Sequence, residues 1–391
     1  MTPNKMLTLL LPCFLLFSLL IGCSNANSPV SHTATATDSG ENPPASDVPG
    51  TNGTAVGFLF VGATDDFGYN QAIYQSTVAA EKAFPDLHII RKENVPENSD
   101  SEKVMEDMIK SGAKIMFPLS NGYLETAMKV AERHPDVVFF IPGGDKTLPN
   151  LGDYTFSFWK EMYMMGVVAG KQSKSGKTGF VVAFPANRIL LQVNAFTVGL
   201  RSVQPNATTK VIFTNNWCDP MKQADAANEL MDEGIDVITQ VQNCTKTIHQ
   251  IAEKRGVNTI GYHVDGSSIA PNSWLSGLVF DRSKLFIDMI ETTKEGRFKG
   301  SRYDGSLIVK NDVDKFMQLA SFGNNVSEDV RRLIKTQLKD IQSGALSPLR
   351  GPVKDQSGTI RIAEGTSPTE EVLSKTNYFV DGVIGEIPKK Q

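Results

Sequence analysis

Val56-Gly57-Phe58-Leu59-Phe60-Val61 is followed by Gly62-Ala63-Thr64-Asp65-Asp66-Phe67-Gly68-Tyr69-Asn70 and then by residues 71–84, and this order of chemistries decides the fold. The first segment is a short, unbroken apolar run and reads as a buried strand. The polar loop stops it, and the third segment carries its apolar residues at helical spacing. The alternation continues with a strand at 88–91, a helix opened by Ser99 with Glu102 three residues on as a capping box, a strand at 115–119, a helix at 124–133 and a strand at 137–141. One βαβαβαβ layer is thus complete by about residue 145, the signature of a parallel α/β sheet.

A second set begins near Thr178, with strands expected at 179–184, 210–214, 236–240, 259–262 and 277–280 and helices at 190–203, 221–232 and 247–254. Between the sets lies a helical stretch at 161–171, and after them a helix at 283–295 where the chain can cross back. A helix at 327–341 has Ser327 as its N-cap, and Ser367-Pro368-Thr369-Glu370 reads as a further capping box. The expected fold class is α/β, with two doubly wound parallel-sheet domains joined by a hinge. The N-terminal lobe would be 54–175, completed by part of 296–391, and the C-terminal lobe 176–295. Ligands of open parallel sheets sit beyond the carboxyl ends of the strands, so the cleft between two such domains is the expected site.

The ends bound the compartment. Lys5 gives residues 1–23 a short positive start, Met6 to Ile21 is apolar with Pro12 inside it, and the run closes on Leu20-Ile21-Gly22-Cys23. That is an export signal too short and broken for a good spanning helix. Its last four residues are similar to a bacterial lipobox, which implies acylation of Cys23 and cleavage just before it. Residues 24–53 are Ser, Thr, Asn, Pro, Ala and Gly with hardly an apolar side chain, a composition that reads as a disordered tether. The formal charge is −4, and one unit more negative without Lys5, so the basic footprint of a nucleic-acid partner is missing. Of the four cysteines, Cys218 and Cys244 remain in the folded part; in an oxidising compartment they either pair or stay as two thiols.

No catalytic constellation emerges. His32, His88, His134, His249 and His263 lack metal-ligand spacing, and no Gly-rich phosphate loop or nucleophile elbow occurs, so neither an enzymatic activity nor a cofactor is expected. The segments following the strands are instead rich in aromatic and hydrogen-bonding side chains. They contain Asp66, Phe67 and Tyr69; Asn121; Trp159; Phe184 and Asn187; Trp217; Gln240 and Asn243; His263 and Asp265; and Asp281. Aromatic faces that sandwich a flat ring while amides and carboxylates read its edge suit a planar heterocycle, each stacked ring contributing roughly 1–3 kcal/mol. Several residues have plainer readings: Phe67, Phe184 and Trp159 as packing, Asp66 as a helix cap, and Asp219-Pro220 as the cap of the helix at 221.

Val61–Tyr69, Glu93–Glu97, Val181–Pro185, Asn194–Val203, Asn216–Pro220 and Gly351–Gln356 together resemble the basic membrane protein family of substrate-binding lipoproteins. The resemblance covers nearly the whole globular region. It implies a type I periplasmic-binding-protein-like fold, a purine nucleobase or nucleoside as ligand, and ABC permease subunits as partners, at a membrane reached through the N-terminal lipid. The Trp217 loop and Ala183-Phe184-Pro185 look like the branch associated with free nucleobases. Departures are His263 near the place where relatives carry an aspartate, Tyr69 in place of Trp and Asn121 in place of Phe. An imidazole accepts one hydrogen bond where a carboxylate can accept two from a ribose diol, which weakens the nucleoside reading. A sensory surface lipoprotein and an exported nucleoside hydrolase are the alternatives.

Overall fold

The computed structural model describes residues 48–143, 146–154, 158–298 and 317–389. The expected signal, the lipobox with Cys23 and most of the tether lie outside them.

The first half is a five-stranded sheet built from β1 (Ala55–Leu59), β2 (His88–Lys92), β3 (Ala113–Pro118), β4 (Val138–Pro142) and β5 (Leu151–Tyr154), in the order β2-β1-β3-β4-β5. Every pairing is parallel. On one face Phe58, Phe117 and Phe140 stack at 4.7 and 5.1 Å between ring centres. Two helices, α1 (Tyr69–Ala83) and α8 (Ser283–Lys294), cover that face; Ile73 and Ala80 of α1 and Leu285, Phe286, Met289 and Ile290 of α8 join its core. The other face is closed by α2 (Asp100–Lys110) and α3 (Leu124–Arg133) through Met105, Met108, Ala127 and Val130. Apolar side chains on both faces explain why the strands read as continuous hydrophobic runs.

The second half repeats the plan with β6 (Lys177–Val182), β7 (Thr208–Phe213), β8 (Val237–Val241), β9 (Asn258–His263) and β10 (Trp274–Phe280). Its order is β11-β10-β9-β8-β6-β7-β14, where β11 (Met317–Leu319) is antiparallel to β10 and β14 (Val383–Ile384) runs parallel to β7. Packed on one face are α4 (Trp159–Gln172), α5 (Asn187–Val203) and α9 (Glu328–Ser343); α6 (Pro220–Asp232) and α7 (Lys246–Arg255) pack on the other. Helices α4 and α5 touch backbone to backbone: a Cβ on Gly199 would stand 2.0 Å from the Tyr163 carbonyl oxygen. A two-stranded ribbon, β12 (Val353–Lys354) with β13 (Ile360–Ile362), and the short helix α10 (Glu370–Ser374) complete the described chain.

Four expectations need correction. The crossing helix α8, not the C-terminal segment, completes the first half; residues 317–389 extend the second through β11, α9 and β14, because edge-strand pairing and the apolar face of α9 find their partners there. The last residues of the expected tether are ordered, since Thr51 N–H donates to the Val48 carbonyl and Gly50 N–H to Asp136 O at 2.9 Å. Ser99 does not cap α2. It already has helical dihedrals, so its side chain makes no capping bond; Asn98 Oδ1 accepts from Asp100 N–H instead, and Glu102 pairs with Arg133. In the box at 367–370, the residue with extended dihedrals just before α10 is Thr369, and it accepts from Val372 N–H; Pro368 precedes the helix.

Candidate functional site

A cavity of about 270 Å³ lies where the carboxyl ends of both sheets converge. From the first half come Val61 beyond β1, Ser120 and Asn121 beyond β3, Pro142 and Gly143 at the end of β4, and Tyr154 at the end of β5, with Tyr69 at the head of α1. The second half contributes Arg188, Ile189 and Gln192 from the first turns of α5, Trp217 beyond β7, Val241 and Asn243 at the end of β8, and Tyr262 and His263 closing β9. Phe158 and Arg282 stand on the segments near the crossings between halves. Strand-end placement follows from topology, because parallel strands deliver all their following loops to one edge of the sheet.

Local chemistry holds these side chains. Tyr69 donates its hydroxyl to the Leu119 carbonyl at 2.8 Å and packs edge-on against His263, ring centres 5.3 Å apart. Tyr262 donates to Gln192 Oε1 at 2.9 Å. The Arg282 guanidinium lies 5.2 Å from the centre of the Tyr69 ring, and its backbone N–H donates to Ser76 Oγ. Trp217 is half-buried and meets Phe184 edge to face at 5.3 Å. Its carbonyl accepts from Asn243 N–H at 2.7 Å, and the next residue, Cys218, is joined to Cys244 by a disulfide. The loops after β7 and β8 are therefore one covalently linked unit beside the cavity.

That unit also touches the first half. Tyr69 N–H donates to Asn243 O at 2.8 Å, Thr245 Oγ1 donates to Phe67 O at 2.6 Å, and Gly68 and Cys244 form an antiparallel bridge. A Cβ on Gly68 would stand 1.7 Å from the Asn243 carbonyl oxygen, so no larger residue allows this approach.

Burial dominates the electrostatics. It raises the phenols of Tyr69, Tyr154 and Tyr262, which stay protonated hydrogen-bond donors. His263 is 6% exposed, and burial, with the charge of Arg282 next, holds it well below the usual imidazole range, so it is neutral. Among the described residues its Nδ1 has no hydrogen-bond partner.

Tyr69, Asn121, Trp217, Asn243 and His263, all anticipated from the sequence, line the cavity together. The remaining anticipated residues do not. Asp66 caps α1, accepting from the N–H groups of Gly68, Asn70 and Gln71, and burial raises its carboxyl despite those bonds. Phe67 adopts φ 52° and offers its carbonyl to Thr245. Trp159 is buried in the core of the second half, its indole N–H 3.4 Å from Glu370 Oε2. Phe184 packs edge to face with Trp217. Asn187 is exposed and donates to Ser374 O; Gln240 is buried and donates to Thr245 O. Asp265 and Asp281 accept from Ser267 N–H and Ser283 N–H. Asp219 caps α6, which carries Pro220 at its start, as its plainer reading held.

Sequence reasoning missed Arg188, Gln192, Arg282, Phe158, Tyr154 and Tyr262. Four of them adjoin a residue that it named: Arg188 follows Asn187, Phe158 precedes Trp159, Tyr262 precedes His263 and Arg282 follows Asp281. The loops were legible; which side chain turns inward was not. Among the described residues no group of His, Cys, Asp and Glu could hold a metal ion, and no helix is long and apolar enough to cross a membrane.

Two doubly wound halves whose strand ends share one cavity define a solute-binding protein of the type I periplasmic kind. The chain belongs to the family of PnrA-like ABC transporter substrate-binding proteins, whose model matches residues 54–348. A purine-binding protein of Brucella abortus is 32% identical over 85% of this chain and 94% of its own length. A Haloferax volcanii protein whose name assigns it glucose binding for an ABC transporter is 29% identical over 85% of this chain and 80% of its own. Among solved structures, a transcriptional activator of the comK gene from Bacillus halodurans superposes with a TM-score of 0.63 at 22% identity, covering 74% of this chain and 98% of that one. At that identity the likeness speaks for the fold alone.

Proposed function

We propose that the protein captures a purine base or nucleoside on the extracytoplasmic side of a membrane and hands it to an ABC permease, tethered by acyl chains on Cys23. The observation that carries this reading is the cavity, in which Trp217 and Tyr69, rings from opposite halves, stand among amides and guanidinium groups. Such walls stack a flat ring and leave its edge to hydrogen bonds. The purine binding in the name of the Brucella relative, alike across nearly its whole length, supports the ligand class. The lipobox supports the anchor, and with the family it supports binding without turnover.

Isothermal titration of the full-length chain, purified in detergent, against purine bases, nucleosides and simple sugars tests the ligand. Saturable one-to-one binding of a purine, recovered unchanged by chromatography, is the expected result. Heat from a sugar alone, or from none of the compounds, defeats the reading. Incorporation of labelled fatty acid into the wild type but not into a Cys23→Ala variant checks the anchor separately.

A further inference from the structure

We propose that the preferred occupant is an oxo-substituted purine, whose edge presents carbonyl oxygens and, once deprotonated, negative charge, and that Arg188 and Arg282 select it over amino-substituted purines. The inference rests on the purine reading above and narrows it.

The balance of donors and acceptors carries the argument. Each aspartate that the sequence offered as an edge reader, Asp66, Asp265 and Asp281, accepts from backbone N–H groups away from the cavity. Among the described residues, the charged side chains that line it are Arg188, Arg282 and Glu97. Glu97 is exposed and already accepts the Ser120 hydroxyl.

The two guanidinium groups are placed differently. Arg282 is 5% exposed, and its guanidinium lies 5.2 Å from the centre of the Tyr69 ring and 5.6 Å from that of Phe280. Arg188 leaves the first turn of α5 in the second half and reaches across to the first, where Nη1 comes 3.8 Å from the position a Cβ on Gly143 would take. The charges of both act on Tyr69 of one half and Tyr262 of the other, opposed by Glu97 and Asp66 at the first and by Glu161 at the second.

Of the nearby acceptors, Gln192 Oε1 holds the Tyr262 hydroxyl, and the neutral imidazole of His263 carries no charge to set against the two guanidinium groups. A guanidinium offers hydrogen-bond donors and no acceptor. An exocyclic amino group facing it would leave two donors opposed, whereas a ring carbonyl or ring anion meets the fork with lone pairs. Sites built around such complementarity discriminate strongly against ligands lacking the matching group.

The test is titration of the full-length chain in detergent with adenine, hypoxanthine, xanthine and urate, repeated on Arg188→Gln and Arg188→Lys. Arg188 is exposed, so both variants should fold, and circular dichroism checks this. The expected result is xanthine or urate binding at least tenfold tighter than adenine. Arg188→Gln should remove most of that margin by weakening xanthine and urate more than adenine, and Arg188→Lys should keep part of it. Adenine binding as tightly as the oxopurines overturns the selection and leaves the purine reading standing, as does Arg188→Gln weakening both classes equally. Failure of every purine to bind removes both.

Discussion

Trp217 projects from a loop fixed by a hydrogen bond at its own carbonyl and by the disulfide one residue later. Its indole is therefore held in place before a ligand arrives, and less entropy is lost on binding. Trp217→Ala should weaken purine binding by about 1–3 kcal/mol, roughly a 5- to 150-fold rise in Kd, measured by titration. Trp217→Phe should recover part of the loss. A second residue reports on pH. His249 is fully buried, 2.9 Å from Thr259 Oγ1 and edge-on to Trp274, and burial lowers its pKa to about 4. In the unfolded chain the same imidazole protonates near pH 6.5. Between those values the unfolded state binds a proton that the folded state refuses, so stability falls as pH drops from about 6.5 to about 4, by roughly 3 kcal/mol in all. Above about 6.5 this group adds no pH dependence. Denaturant melts between pH 7 and 4.5 should show a smaller acid loss for His249→Gln than for the wild type.

Among the elements, the strand-like segment at Gly68 and the disulfide-linked loops after β7 and β8 matter most, because they join the halves beside the cavity. Gly68→Ala should break the bridge, since its Cβ would fall 1.7 Å from Asn243 O. The change should lower purine affinity at least tenfold, because closure of hinged halves around a ligand uses such contacts. Small-angle scattering of the ligand-loaded variant should show a larger radius of gyration than the loaded wild type; identical radii and affinities would mean the bridge is dispensable. Helix α8 is the other element whose loss spreads, because it leaves the second half and buries its apolar face on the first. Phe286, tilted against both Phe58 and Phe117, anchors it. Truncation to alanine should cost about 3–5 kcal/mol, read as a drop in the denaturation midpoint.

At the level of the whole molecule, the cavity draws residues from both halves, so a ligand that fills it binds the folded chain and not the unfolded one. Ligand at 100 times its Kd should then stabilise the protein by about 2.7 kcal/mol, visible as a rise in melting temperature of several degrees. A compound that gives heat in titration but no thermal shift is bound somewhere other than this cavity.

Periodicity and turn chemistry were enough to place every parallel strand except β5 and β14 within a few residues, to recognise the doubly wound class and to locate the loops that gather at the strand ends. These properties are local: apolar runs, helical spacing and loop composition are written residue by residue. The capping boxes failed where a neighbour competed, as Asn98 did beside Ser99. The sequence offered 283–295 as a place to cross back, but only tertiary structure decided that α8 itself covers the first sheet while residues 317–389 stay with the second half, since a helix's apolar face does not say which sheet it will cover. It also decided that Cys218 and Cys244 pair, because two loops 26 residues apart meet only when β7 and β8 flank β6. Above all it decided which side chain of each loop enters the cavity. Arg188 rather than Asn187, Phe158 rather than Trp159, and Arg282 rather than Asp281 face it, because rotation by one residue around a helix or turn carries a side chain to another face. That rotation is set by packing over the whole molecule.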